Sequence, residues 1–341
     1  MISAFGLIPV LVIGAAASAG LILILRPLLA RFWVAEPNAR SSHRIPTPHW
    51  GGIAVIAGAI LGMLTAAVVS AITPVALTSL WALAAAAAVL VVAGAGADIL
   101  HLSIGPRLIL QFIAVGLIVA ALPSATRIVP LVPWGIERAA LVLAGVYWVN
   151  IVNFMDGLDW MTAAEVAPVT AGLWLLSLFG ALDARDTAVA VALLGGIIGF
   201  APFNRPVAKL FLGDVGSLPI GLLLFWLLLQ LAASGHVVAA LLLPLYYLAD
   251  ASLTLLRRLA RGENVLQAHR GHFYQRATEN ALSVREVVGR VFVVNFALAA
   301  LAVMTVVAPS RWAQALGLAL GGACVGLLLA SFVKGKPRGI R

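Results

Sequence analysis

The segment Asn150–Met161 reads NIVNFMDGLDWM and closes a long apolar run. It places Asn150, Asn153, Asp156 and Asp159 at a spacing of three. Charged and polar groups in or beside a membrane are costly, and by default they mark a functional site. Working outward from this stretch, the chain is 341 residues long, 62% hydrophobic and 10% charged, with a mean hydropathy of +1.07. A soluble domain carries about 25% charged residues. The apolar runs are about 20 residues long, the length of a membrane helix and not of an alternating barrel strand. Lipid admits only helices and closed barrels. The expected fold is therefore all-α, a polytopic integral membrane protein read as one transmembrane domain over residues 1–341.

Eleven spans are expected, at about 3–29, 51–71, 76–97, 107–122, 139–154, 162–182, 186–202, 217–233, 236–256, 288–308 and 312–333. The first lacks a basic leader and a small-residue cleavage site, so it reads as a retained span. With loops on alternating sides, only Arg127, Arg138, Arg185 and Arg311 of the 22 basic residues fall on one side. The positive-inside rule then puts the N-terminus outside and the C-terminus in the cytoplasm. The net charge of +9 is thus a topology signal. No basic stripe is interleaved with aromatics, and nucleic acid is not an expected partner. The single cysteine, Cys324, excludes a disulfide framework and a thiol metal site.

Five polar constellations fall on the cytoplasmic side, in loops at about 30–50, 97–107, 150–162, 200–217 and 257–288. The first contains SSHRIPTPHWGG, residues 41–52, where His43 and Arg44 suit phosphate or simply hold the loop inside. The second holds Asp98 at a span end, where it needs a partner, water or an ion. In the third, each step of three on an α-helix drifts 60° backward. Asn150 and Asn153 can share a face, and Asp156 and Asp159 join them only if Gly157 breaks the helix. The fourth sets Asn204, Lys209, Phe211 and Asp214 in an apolar region, with Gly213 and Gly216 flanking the aspartate. Such a frame lets a metal or phosphate approach the backbone. The fifth carries QAHRGHFYQR, residues 267–276. His269 and His272 have a metal-compatible spacing but no third ligand nearby, so with Arg270 and Arg276 they read as an anion site. Carboxylates for a hard cation, cations for phosphates and a membrane on one side suit phosphoryl transfer between a soluble donor and a lipid acceptor.

The order and wording of these motifs resemble the polyprenyl-phosphate N-acetylhexosamine-1-phosphate transferases. That family includes O-antigen and enterobacterial common antigen initiators and the phospho-MurNAc-pentapeptide translocase. The span count and the AHRGHFYQR loop look more like the O-antigen-type initiators. The resemblance implies a multi-pass protein of the bacterial inner membrane. It also implies Mg²⁺-dependent (or Mn²⁺-dependent) transfer of a sugar 1-phosphate from a UDP-N-acetylhexosamine to polyprenyl phosphate, releasing UMP. Asp214 would be the metal ligand. Asn153, Asp156 and Phe211 would hold the uridine end, with Asn150 and Asp159 supporting. Asp98 would act near the lipid phosphate, and His269, Arg270 and His272 would face the sugar or diphosphate. Two positions depart from the family pattern: Ala97 stands where a first aspartate is usual, and Trp160 where a glycine is usual. Ala97 motivates an alternative, a homologue that binds nucleotide sugar or lipid as a membrane scaffold or regulator without turnover. A transporter would place its site at the bilayer midplane. Homodimerisation is left open.

Overall fold

A computed structural model describes residues 4–35, 45–70, 74–100, 102–265, 267 and 270–335. His43, Arg44 and His269 lie outside the described residues. The chain is an all-α polytopic membrane protein. Its helices are α1 (Ile8–Phe32), α2 (Gly52–Ser70), α3 (Pro74–Leu100), α4 (Ile104–Ala120), α5 (Trp134–Met155), α6 (Met161–Ser177) and α7 (Ala184–Phe200), then α8 (Asp214–Ala233), α9 (Val237–Leu242), α10 (Leu245–Ala260), α11 (Phe273–Glu279), α12 (Val284–Val307) and α13 (Arg311–Lys334). Six of these, α1, α3, α5, α8, α12 and α13, are long and apolar enough to cross a membrane. A two-residue antiparallel ladder, β1 (Val34–Ala35) with β2 (Thr47–Pro48), is a small addition to the expected all-α class.

Helix α8 is the axis of the bundle. It is apolar on every side, and such a helix is stable only when surrounded. Leu218, Leu222, Leu224 and Leu227 on it are fully buried, and α3, α5 and α2 pack around it. Helices α1, α2 and α7 form a tight cluster on one flank, and α6, α12 and α13 pack in sequence on the other. Small residues allow the first cluster to close: a Cβ at Gly58 would meet the Gly14 carbonyl oxygen at 2.6 Å. Close backbone approach of this kind drives helix association in lipid, where apolar burial alone gives no preference.

The ninth expected span is two helices, α9 and α10, divided at Leu243–Pro244. Proline lacks the N–H that would continue the ladder. Two polar clusters at the end opposite the motif loops were not anticipated from sequence. Glu137 accepts from the Ile128 and Val129 N–H groups at 2.7 and 2.8 Å and pairs with Arg127, folding the 123–133 loop back onto α5. Asp186 receives Arg185 and the Trp226 indole, tying α7 to α8. Both clusters serve loop closure and helix packing.

Candidate active site

The motif loops line a cleft of about 810 Å³. One wall is made by helix ends. The strap from β2 into α2 is hydrogen-bonded to the segment before α8: Phe211 N–H donates to the Pro48 carbonyl, Gly51 N–H to that of Phe211 and Gly52 N–H to that of Leu212, at 2.8, 2.8 and 2.9 Å. Glycines then bring the helix backbones together. A Cβ at Gly52 would lie 2.1 Å from the Gly216 Cα, and one at Gly94 would lie 2.5 Å from the Asp214 carbonyl carbon. This contact sets Asp98, near the C-terminus of α3, beside Asp214, the first residue of α8. Asp214 also sits at the positive end of the α8 dipole.

Both carboxylates are held. The Trp50 indole N–H donates to Asp98 Oδ2 at 2.7 Å, and His49 Nδ1 lies 3.6 Å from the same oxygen. Trp50 stacks on Trp33 with centroids 4.9 Å apart. Arg107, from the first turn of α4, donates to Asp214 Oδ2 at 2.6 Å. Asn153 Nδ2 donates to Asp214 Oδ1 and to Ser217 Oγ, both at 2.8 Å.

The opposite wall is the turn between α5 and α6. Helix α5 ends at Met155, and α6 begins at Met161. The break at Gly157 turns Asp156 and Asp159 toward the cleft. Asp156 accepts from the Thr162 hydroxyl. Burial pushes its carboxyl up to about 7, against the Thr162 hydrogen bond and helped by the charges of Asp214 and Asp159. Asp159 Oδ2 accepts the Ala208 N–H at 2.9 Å. Trp160 adopts φ +66°, the left-handed region that a glycine enters at no cost. It is pinned there: Asn204 Oδ1 accepts its N–H at 2.7 Å, and its indole donates to the Ala201 carbonyl at 2.6 Å. Asn204 also donates to the Leu210 carbonyl at 3.0 Å, so it clamps two loops together.

The structure brings Asp98, Asn153, Asp156, Asp159, Asp214, Asn204 and Phe211 around this cleft. Asn150 turns away. Because α5 stays helical through Met155, Asn150 is rotated off the Asn153 direction and exchanges hydrogen bonds with Gln111 of α4 at 2.5 and 3.3 Å. Lys209 is exposed and does not line the cleft. Arg270, His272 and Arg276 also lie off the cleft lining. His272 is buried against Asp250, with Nδ1 at 3.2 Å, because it caps α11. For His272 the structure shows the Asp250 contact and the N-cap position of α11. Four groups were missed from sequence: His49, Arg107, Gln275 and Arg285. Arg107 had a signal, a lone arginine at the entry of an apolar run just after Asp98. Arg285, which donates to the Pro206 carbonyl at 3.0 Å, had none.

Four carboxylates thus line, with His49 and Arg285, a cleft large enough for a nucleotide, and Arg107 is held on Asp214 beside it. Among the described residues, no three His, Cys, Asp or Glu side chains converge to hold a cation by themselves. The donor set fits a hard cation completed by ligand oxygens, as Mg²⁺ sites with one or two carboxylates usually are.

Glycosyl transferase family 4 matches residues 80–232. A Bacillus subtilis (strain 168) protein named "Probable undecaprenyl-phosphate N-acetylglucosaminyl 1-phosphate transferase" is 22% identical over 81% of this chain and 79% of its own length. The "Decaprenyl-phosphate N-acetylglucosaminephosphotransferase" of Mycobacterium leprae (strain TN) is 28% identical over 75% of this chain and 72% of its own. A Wolbachia pipientis wMel "Phospho-N-acetylmuramoyl-pentapeptide-transferase" is 41% identical over a shorter stretch, 24% of this chain and 25% of its own. The matched stretch contains Asp98, Asp156, Asp159 and Asp214.

Proposed function

We propose that the protein transfers an N-acetylhexosamine 1-phosphate from a UDP-sugar to polyprenyl phosphate, releasing UMP and starting a lipid-linked surface glycan of the O-antigen type. The observation that carries this reading is the cleft, where Asp98 and Asp214 face Asp156 and Asp159 at one end of a membrane bundle. The names of the similar proteins support the same reaction class.

An oxygen of the lipid phosphate attacks the β-phosphorus of the UDP-sugar. The bond from that phosphorus to the bridging oxygen breaks, and UMP leaves with it. Asp98, which lines the cleft, would act near the lipid phosphate, taking up its proton or orienting it. Trp50 and His49 fix the carboxylate that does so. Arg107, already on Asp214, is placed to turn toward the diphosphate. Asn153 keeps Asp214 in one rotamer, and Phe211 offers an aromatic face to the uracil. Asp214 would hold Mg²⁺ (or Mn²⁺), and Asp156, across the cleft, would hold the uridine end with Asn153. When bound, the ion neutralises the diphosphate and stabilises the charge developing on UMP.

For topology, we propose eleven membrane crossings in a bacterial inner membrane, N-terminus outside and C-terminus cytoplasmic. A cysteine at Leu131, 97% exposed, in a chain with Cys324→Ser, should react with an impermeant maleimide added outside. Reaction only after permeabilisation would reverse the orientation.

The test of function is a donor screen with purified protein, Mg²⁺ and undecaprenyl phosphate. A UDP-N-acetylhexosamine should yield UMP only when the lipid is present. UDP-sugar binding without UMP from any donor would favour the non-catalytic homologue suggested by Ala97.

A further inference from the structure

We propose that Tyr274 is a positioning residue: a buried strut that fixes the Asp156–Asp159 turn from behind and makes Gly157 obligatory. The activity part of this inference rests on the transferase reading above, while the strut itself stands on geometry.

The turn has to leave α5 and enter α6 within five residues while aiming two carboxylates into the cleft. Gly157 lies at its apex, yet it is not among the residues with positive φ, so its backbone conformation does not call for glycine. The demand is spatial. A Cβ at residue 157 would lie 2.1 Å from the Tyr274 hydroxyl oxygen and 3.0 Å from Cζ. That hydroxyl donates to the Phe154 carbonyl at 2.9 Å. Phe154 is in the last turn of α5, where carbonyls have no helical partner. The phenol therefore caps α5 and fills the space behind the turn together.

Tyr274 is itself immobilised. It is fully buried, and its N–H donates to Asp250 Oδ2 at 3.2 Å. The Phe273 N–H and the His272 ring meet the other Asp250 oxygen at 3.0 and 3.2 Å. Asp250 lies on α10 and has no exposure. His272 stacks on the Tyr274 ring with centroids 5.7 Å apart. A continuous line of contacts thus runs from α10 through the start of α11 to the end of α5. The His-Phe-Tyr part of the fifth motif acts behind the cleft wall, and Gln275, the next residue, lines the cleft. Reacting groups displaced by about 1 Å can lose 10²-fold in rate, so a strut at this place governs turnover.

The experiment is a double-variant cycle. Tyr274→Phe should lower the rate of UMP release about tenfold, and Gly157→Ala about hundredfold. The two should not multiply. Removing the hydroxyl takes away the 2.1 Å contact and leaves the ring carbon Cζ at 3.0 Å, so the double variant should exceed Gly157→Ala alone by at least about threefold. A double variant at or below the product of the two losses overturns the proposal. An arm independent of activity uses 5-fluorotryptophan and ¹⁹F NMR, with resonances assigned by single Trp→Phe changes. Tyr274→Phe should move the resonance of Trp160 in the turn and leave that of Trp226, beside Asp186 in the bundle, in place. An unmoved Trp160 resonance, or equal shifts at both, contradicts the strut even where no donor yields UMP. A moved Trp160 resonance without any UMP leaves the strut standing and refutes the transferase reading instead.

Discussion

The wall of the cleft formed by α2, α3 and α8 holds Asp98 and Asp214 through backbone-to-backbone contact, whereas the wall opposite hangs Asp156 and Asp159 on side chains. In the first wall, Gly52 meets Gly216 and Gly94 meets Asp214 with no room for a methyl group. In the second, Thr162, Asn204, Trp160 and Tyr274 each contribute one hydrogen bond or one filled space. Helix termini packed on glycine have one arrangement. A turn held by several side chains can lose one and relax. The comparison therefore predicts that a methyl group added at a glycine contact between helices is all-or-none and that loss of a single supporting side chain is graded.

The largest effect should come from Gly94→Ala. Its methyl group would lie 2.5 Å from main-chain atoms of Asp214 and Val215, and neither helix can yield locally. Overpacking costs about 1–3 kcal/mol, and displacement of Asp214 should lower UMP release by about 10²-fold or more. Wild-type-like turnover in Gly94→Ala would break the distinction between the walls. Next comes Asp250→Ala, which strips the partners of two buried N–H groups and of His272. Each unsatisfied buried group costs about 1–3 kcal/mol, so the melting temperature in detergent should fall by many degrees. Trp50→Phe is smaller. It keeps the ring but leaves Asp98 without its indole donor, so turnover should drop about tenfold with little change in melting temperature. The smallest effect is expected at Trp160. Glycine there would relieve a left-handed residue, worth roughly 1–2 kcal/mol, and lose a hydrogen bond and ring contacts of similar size. Trp160→Gly should therefore be close to neutral by thermal melting, while Trp160→Ala keeps the strain, loses the ring and should melt clearly lower.

These ranks also show what the sequence could tell. The apolar runs located the helical segments because span length and composition are local properties. The break at Gly157 was legible for the same reason, since Asn150, Asn153, Asp156 and Asp159, each 60° behind the last, cannot all face one way on an unbroken helix. The partners were not legible. Asn150 was read as a supporting residue of the site, but Gln111, which captures it, lies 39 residues away in sequence. His272 looked like an anion ligand, and only the fold places Asp250 against it. Arg107 was counted as a topology charge, although its guanidinium rests on Asp214. Trp160 stood out as an oddity in a glycine-rich turn. Its compensation, the Ala201 carbonyl and Asn204, comes from the far side of α7.

In the proposed reaction Asp214 and the carboxylates around it perform phosphoryl transfer onto a lipid. The most direct test follows UMP release from a UDP-N-acetylhexosamine, with Mg²⁺ and polyprenyl phosphate, by wild type and by Asp214→Ala. Wild type should release UMP only with the lipid present and should stop when EDTA is added. Asp214→Ala, folded by melting temperature, should fall by about 10³-fold or more. Equal UMP release by the two proteins, or release that ignores the lipid, would contradict the account.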